Sequence, residues 1–120
     1  MEKLYEKNGY IGTYEEVMDV DGDDLEPREI EGTRMSLFER HSLSFPSIFG
    51  KAINDPMDFG DLEKKAWESI RDTEGILIVY VTGMTPAAVT VINVCHLKHK
   101  DLILMHYDKE TGLYRAQLVY

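Results

Sequence analysis

Residues 76–107 constrain this chain more than any other stretch, because they join two uninterrupted apolar runs through a turn and a helical pattern. Ile76-Leu77-Ile78-Val79-Tyr80-Val81-Thr82 shows no polar alternation. A strand of that kind needs cover on both faces, as parallel and central strands have. Gly83-Met84-Thr85-Pro86 reads as a tight turn into a helix. Thr85 suits the N-cap, and Pro86 suits the first helical position, where its missing N–H costs nothing. The helix is expected over 86–98 and is apolar nearly all round, so it must be buried or lie in an interface. Its valines and isoleucine also suit a strand over 88–95. Thr-Pro ahead of it and Lys98-His99-Lys100 behind it favour the helix.

Leu102-Ile103-Leu104-Met105-His106-Tyr107 reads as the next strand. Strand 76–82, helix 86–98 and strand 102–107 then make a Rossmann-like β-α-β unit with its strands parallel. Asp108 to Gly112 forms a turn, and 113–119 returns as an antiparallel strand. Tyr114, Ala116 and Leu118 share one face of it. Arg115, Gln117 and Val119 share the other, a polar mix that marks a partly exposed edge.

The amino-terminal part, 1–54, reads as irregular with β-hairpin character. Brief strands are expected at Tyr10-Ile11 and Val17-Met18, a hairpin turn at Asp21-Gly22 and a further strand from Thr33 to Phe38. Phe45, Ile48 and Phe49 are expected to anchor a loop over 41–50. A helix is expected from Asp55-Pro56, with Phe59, Leu62, Ala66 and Ile70 as its apolar stripe, Trp67 beside it and Gly75 as its stop. The expectation is one small α/β domain over 1–120, with the helix and the β-α-β-β core in 55–120.

The chain has 120 residues, enough for one core and too few for a second. Its formal net charge of −9 disfavours direct binding of DNA or RNA duplexes and of anionic membranes, which need a positive face. A single cysteine, Cys95, excludes an intrachain disulfide and suits a reducing compartment. No apolar run approaches the roughly 20 residues of a membrane span. Met1 to Glu6 shows no basic-then-apolar leader pattern. A cytoplasmic location is expected.

Ligands of open parallel sheets bind outside the carboxyl ends of the strands. Here those ends are Thr82-Gly83-Met84-Thr85 and His106-Tyr107-Asp108. The first turn of a helix offers unpaired N–H groups and a positive dipole end. Gly83 allows close backbone approach, and the Thr82 and Thr85 hydroxyls can donate to phosphate or carboxylate oxygens. His106 can supply a positive charge or a proton, which makes it the one weak catalytic candidate. The ligand-binding set is therefore Thr82, Gly83, Met84, Thr85, His106 and Asp108. The turn is neither G-x-G-x-x-G nor a P-loop, and good capping chemistry explains the same residues.

Other constellations favour structural roles. Asp19, Asp21 and Asp23 stand at the first three ligand positions of a calcium loop, but position 12 is Ile30 and no glycine stands at position 6. No sharp strand-turn-helix elbow surrounds Ser42, Ser44 and Ser47, so His41 beside them does not make a nucleophile. Thr90 and Asn93 share a helix face and need polar partners. His96 and His99 suit the helix carboxyl end better than zinc. No metal site and no cofactor are expected.

Two functions fit. One is a binding crevice for an anionic small molecule, a nucleotide or other phosphorylated compound. Domains that sense or degrade nucleotide second messengers in prokaryotic defence are built on comparable β-α-β units with a hydroxyl-rich turn, an analogy of architecture that admits a prokaryotic or phage setting. The other is a non-enzymatic, acidic interaction or inhibitor protein. Either reading goes with a homodimer through helix 86–98.

Overall fold

The computed structural model describes residues 3–19, 26–39, 44–51, 53, 55, 57–82 and 85–119. The expected Asp21-Gly22 turn, most of the acidic stretch around it, His41, Ser42, Gly83 and Met84 lie outside the described residues.

The chain opens with a hairpin, β1 (Lys3–Lys7) and β2 (Tyr10–Gly12). Its two-residue turn is Asn8-Gly9, both at positive φ, 53° and 84°. Positive φ at both central positions matches the twist of the flanking strands. Next comes α1 (Tyr14–Met18), where a brief strand was expected at Val17-Met18. A capping box explains the difference: Thr13 Oγ1 accepts from the Glu16 N–H at 3.3 Å, and Glu16 Oε1 accepts from the Thr13 N–H at 3.0 Å.

β3 (Arg28–Ser36) begins earlier than the expected strand from Thr33. α2 (Phe59–Ile70) begins later than Asp55-Pro56. Asp58, not Asp55, caps it, accepting from the Asp61 N–H at 3.2 Å. Asp55 instead closes a local turn on the Met57 N–H at 3.0 Å. Leu62, Ala66 and Ile70 are fully buried, whereas Phe59 is 50% exposed and drops out of the stripe. Then follow β4 (Ile76–Tyr80), α3 (Thr85–Leu97), β5 (Leu102–Asp108) and β6 (Leu113–Leu118). Gly75 does not stop α2. Its φ of 69° turns the chain into β4, where an added Cβ would strike the Glu31 carbonyl.

These elements form a small α/β domain around one six-stranded mixed sheet, ordered β2-β1-β3-β4-β5-β6. β3, β4 and β5 are parallel, and β1 and β6 run antiparallel to their inner neighbours. The crossovers through α2 and α3 both pack on one face, against Met35, Leu77, Val79, Leu102 and Leu104. The other face closes on itself around Leu4, Ile11, Ile30, Ile78, Tyr80, Ile103 and Met105. The sheet is rolled so far that the Ala116 N–H on β6 donates to the Gly9 carbonyl in the β1–β2 turn at 2.6 Å. It is nearly a barrel. Strand order β3-β4-β5 follows chain order, so this part of the sheet has no reversal of the kind that opens the crevice of doubly wound sheets. Among the described residues, no helix is long and apolar enough to cross a membrane.

Candidate ligand-binding site

Parallel strands bring the carboxyl ends of β3, β4 and β5 to one end of the domain. Backbone bonds continue the sheet past these ends: Leu37 N–H donates to Tyr80 O at 3.2 Å, and Val81 N–H donates to Met105 O at 3.0 Å. Residues 46–49 lie beside the end of β3, with Ser36 N–H donating to Pro46 O at 3.0 Å and Phe49 N–H to Leu37 O at 3.0 Å. This end of the sheet is therefore built backbone to backbone, which holds whatever side chains it presents.

Thr82 is half-buried, and its hydroxyl accepts from the Phe38 N–H at 3.3 Å. That bond ties the end of β4 to the loop after β3. Thr85 is exposed and is already the first residue of α3. His106 is exposed, and its Nε2 pairs with Gln117 Oε1 at 2.7 Å across the β5–β6 ladder. Asp108 Oδ1 accepts from the Glu110 N–H at 2.9 Å and shapes the turn into β6. The pleat separates these groups. His106 follows Leu102 and Leu104 on the helix-covered face, while Thr82 follows Ile78 and Tyr80 on the inner face. Among the described residues, no hydrogen bond joins Thr82, Thr85 and His106.

The inner face holds a feature that the sequence pattern did not single out. A cavity of about 280 Å³ opens between β2 and α1 on one side and β3, β4 and the start of β6 on the other. Tyr80, Ile11 and Val17 make its buried wall. Phe45 enters from the loop after β3 and stacks on Tyr80 at 4.6 Å between centroids. The Arg34 guanidinium lies 4.5 Å from the Phe45 centroid. Tyr114 meets Tyr80 edge-on at 5.0 Å and Tyr107 at 5.3 Å. Glu16 and Leu113 stand at its exposed mouth. A larger open cleft of about 700 Å³ lies beyond, with Arg34 and Phe45 in the wall the two share. The signal in the sequence was the alternation itself: Tyr80 and Tyr114 fall on inward positions of adjacent-but-one strands.

The remaining candidates are accounted for locally. Thr90 is buried and its hydroxyl donates to Pro86 O at 2.8 Å, but Asn93 is exposed, so the two do not share a buried face. His99 takes φ 54° just past the end of α3, where Lys100 N–H donates to Cys95 O at 2.9 Å. His96 and His99 are exposed, and no group of three or more metal-ligating side chains is found among the described residues. Cys95 is fully buried, and burial pushes its thiol up to about 11, against a smaller lowering from the Lys100 ammonium. Ser36 Oγ is buried and has no hydrogen-bond partner among the described residues.

Compared with protein families, curated proteins and solved structures, the chain matches none.

Proposed function

We propose that this protein is a small ligand-binding module, taking a nucleotide or other phosphorylated small molecule, such as a nucleotide second messenger, at the carboxyl ends of its parallel strands, where β4 gives way to α3. The observation that carries the proposal is that the carboxyl ends of three parallel strands gather at the amino end of α3. The first turn of α3 carries N–H groups without helical partners, and the Thr85 hydroxyl stands exposed beside them. In a chain of net charge −9, an anion needs such a local arrangement of backbone donors, since the overall field repels it. His106 and Thr82 occupy opposite faces, which favours binding over catalysis.

Thermal unfolding against mononucleotides, dinucleotides and linear and cyclic oligonucleotides, with and without divalent metal, tests the proposal. A ligand at 100 times its Kd adds about 2.7 kcal/mol, a shift of several degrees in a domain of this size. Stabilisation that is lost in Thr85→Val supports the site. No stabilisation by any compound sinks it and turns attention to a protein partner.

The proposal includes a homodimer through helix 86–98. Val89 and Leu97, two turns apart on α3, are 47% and 67% exposed. A monomer mass in solution at micromolar concentration would remove this part and leave the rest.

A further inference from the structure

We infer that the cavity inside the rolled sheet is a binding pocket for an uncharged aromatic molecule of one or two rings. The inference is independent of the phosphate reading above and uses none of its residues.

Size is the first argument. Pockets that enclose a whole drug-sized ligand run to about 300–1,000 Å³. At about 280 Å³ the cavity falls just below that range and suits a compact ring compound.

Lining is the second. Ile11, Val17 and Leu113 supply aliphatic surface, and Phe45, Tyr80 and Tyr114 supply rings. The ionic groups of the wall are already engaged. The Arg34 guanidinium lies on the Phe45 ring, and Glu16 closes the capping box of α1 with the Thr13 N–H. Arg34 and Tyr80 have further partners of their own. A charged or strongly polar occupant would give up its hydration and find these groups taken, which is costly. An apolar ring gives up nothing polar on entry. Water that it displaces from Ile11, Val17 and Tyr80 leaves a wall with few hydrogen bonds to offer. Charge agrees with this choice. Arg34 and Glu16 balance each other locally, while the net charge of −9 repels anions.

Ring geometry is the third. Phe45 stacks on Tyr80 at 4.6 Å between centroids with 24° between planes, and Tyr114 meets Tyr80 at 5.0 Å and 75°. The wall thus holds rings in two orientations. An aromatic guest gains from stacked and edge-on contacts beyond the area it buries, and an aliphatic ring of equal size gains the area alone.

Position is the fourth. The pocket spans the seam of the rolled sheet, with Ile11 and Val17 on the β2–α1 side and Leu113 and Tyr114 on β6. Among the described residues, one backbone hydrogen bond crosses that seam, from the Ala116 N–H to the Gly9 carbonyl. An occupant that touches both sides adds a second tie, so its binding stabilises the closed sheet against local opening.

Isothermal titration of the whole chain with indole and with cyclohexanol, an uncharged aliphatic ring, tests the inference. The proteins are wild type, Leu113→Trp and Phe45→Leu. Leu113 stands at the exposed mouth, so Leu113→Trp obstructs the pocket without touching its buried wall. We expect one indole to bind each wild-type chain, and cyclohexanol to bind about fivefold or more weaker. Leu113→Trp should weaken indole about tenfold or more by taking its space. Phe45→Leu should weaken indole more than cyclohexanol. Amide exchange at Ala116 should slow when indole is bound to wild type. Absence of indole binding, or binding that Leu113→Trp leaves unchanged, overturns the pocket. Bound indole that leaves exchange at Ala116 unaltered sits elsewhere and overturns it too. Cyclohexanol binding as tightly as indole overturns the aromatic choice. None of these outcomes bears on Thr85 or on phosphate.

Discussion

The N–H of Ala116 donates to the carbonyl of Gly9 at 2.6 Å, and this contact joins the two ends of a six-stranded sheet that would otherwise lie open. Around it, the Arg115 guanidinium sits 5.3 Å from the centroid of the Tyr10 ring and within 3.6 Å of the position a Cβ on Gly9 would take. A sheet with its two crossover helices on one face and only the short α1 on the other must protect that other face in some way. Rolling it shut does so without a second helical layer, and it creates the inner cavity.

If that closure matters, Arg115→Ala should loosen it. The lost cation–π contact is worth about 0.5–1 kcal/mol at an exposed site. We expect the melting temperature to fall by a few degrees. Amide exchange should speed up at Ala116 and in the β1–β2 turn, and stay slow in β4. Uniform acceleration through the whole sheet would show that Arg115 serves general stability and not closure.

Gly75→Ala tests the entry to β4. Both the φ of 69° and the contact with the Glu31 carbonyl oppose a side chain there. Gly32, on the adjacent strand, is closed as well, because a Cβ would lie 2.7 Å from the Ile76 carbonyl oxygen. Gly75→Ala should cost about 1–3 kcal/mol in denaturant unfolding, the range for a strained backbone position. Gly50→Ala has the same φ of 69° but open space around it, and should cost about 1 kcal/mol. Equal costs at the two positions would mean that backbone conformation, not the contact, sets the penalty.

Much of this architecture was legible in the sequence, and the misses have physical reasons. The runs at 76–82 and 102–107 gave adjacent parallel strands because nothing but cover on both faces tolerates such runs. The polar second face of 113–119 gave an antiparallel strand outside them. Asn8-Gly9 is a strong short hairpin signal that the reading of the amino-terminal part passed over. Thr13-x-x-Glu16 is a complete capping box that outweighs the strand preference of Val17. Rolling could not be read at all, since it depends on a contact between residues 9 and 116 that no local pattern encodes. For the same reason the proposed site was readable only as strand ends. The pleat that sends Thr82 inward and His106 outward appears once register is known.

Cys95 predicts a pH dependence. Its thiol is raised by burial to about 11 from an ordinary value of about 9.0. Below pH 9 the thiol is protonated in both states and its contribution to stability is fully present. As pH rises from about 9 to 11, the unfolded chain loses the proton first, so stability falls, by at most about 1.4 kcal/mol per pH unit from this group. Other groups also contribute to alkaline unfolding, so the measurement is a difference: the alkaline loss in wild type should exceed that in Cys95→Ala. A thiol-specific reagent at pH 8 should also react with the native protein only at the rate of unfolding. Fast labelling of the native protein would contradict the burial.

Thr82 and Thr85 should behave differently, and the difference separates scaffold from site. Thr82 holds the Phe38 N–H, so Thr82→Val leaves a part-buried donor without its partner. Such a loss costs about 1–3 kcal/mol whatever ligand is present. Thr85 is exposed, and among the described residues its hydroxyl makes no hydrogen bond. Thr85→Val should therefore change the stability of the free protein by no more than about 0.5 kcal/mol. If phosphate is held there, the same variant should abolish stabilisation by nucleotides while Thr82→Val, though less stable, retains it. The reverse pattern, with ligand stabilisation lost in Thr82→Val and kept in Thr85→Val, would move the anion off the helix end and onto the strand end of β4.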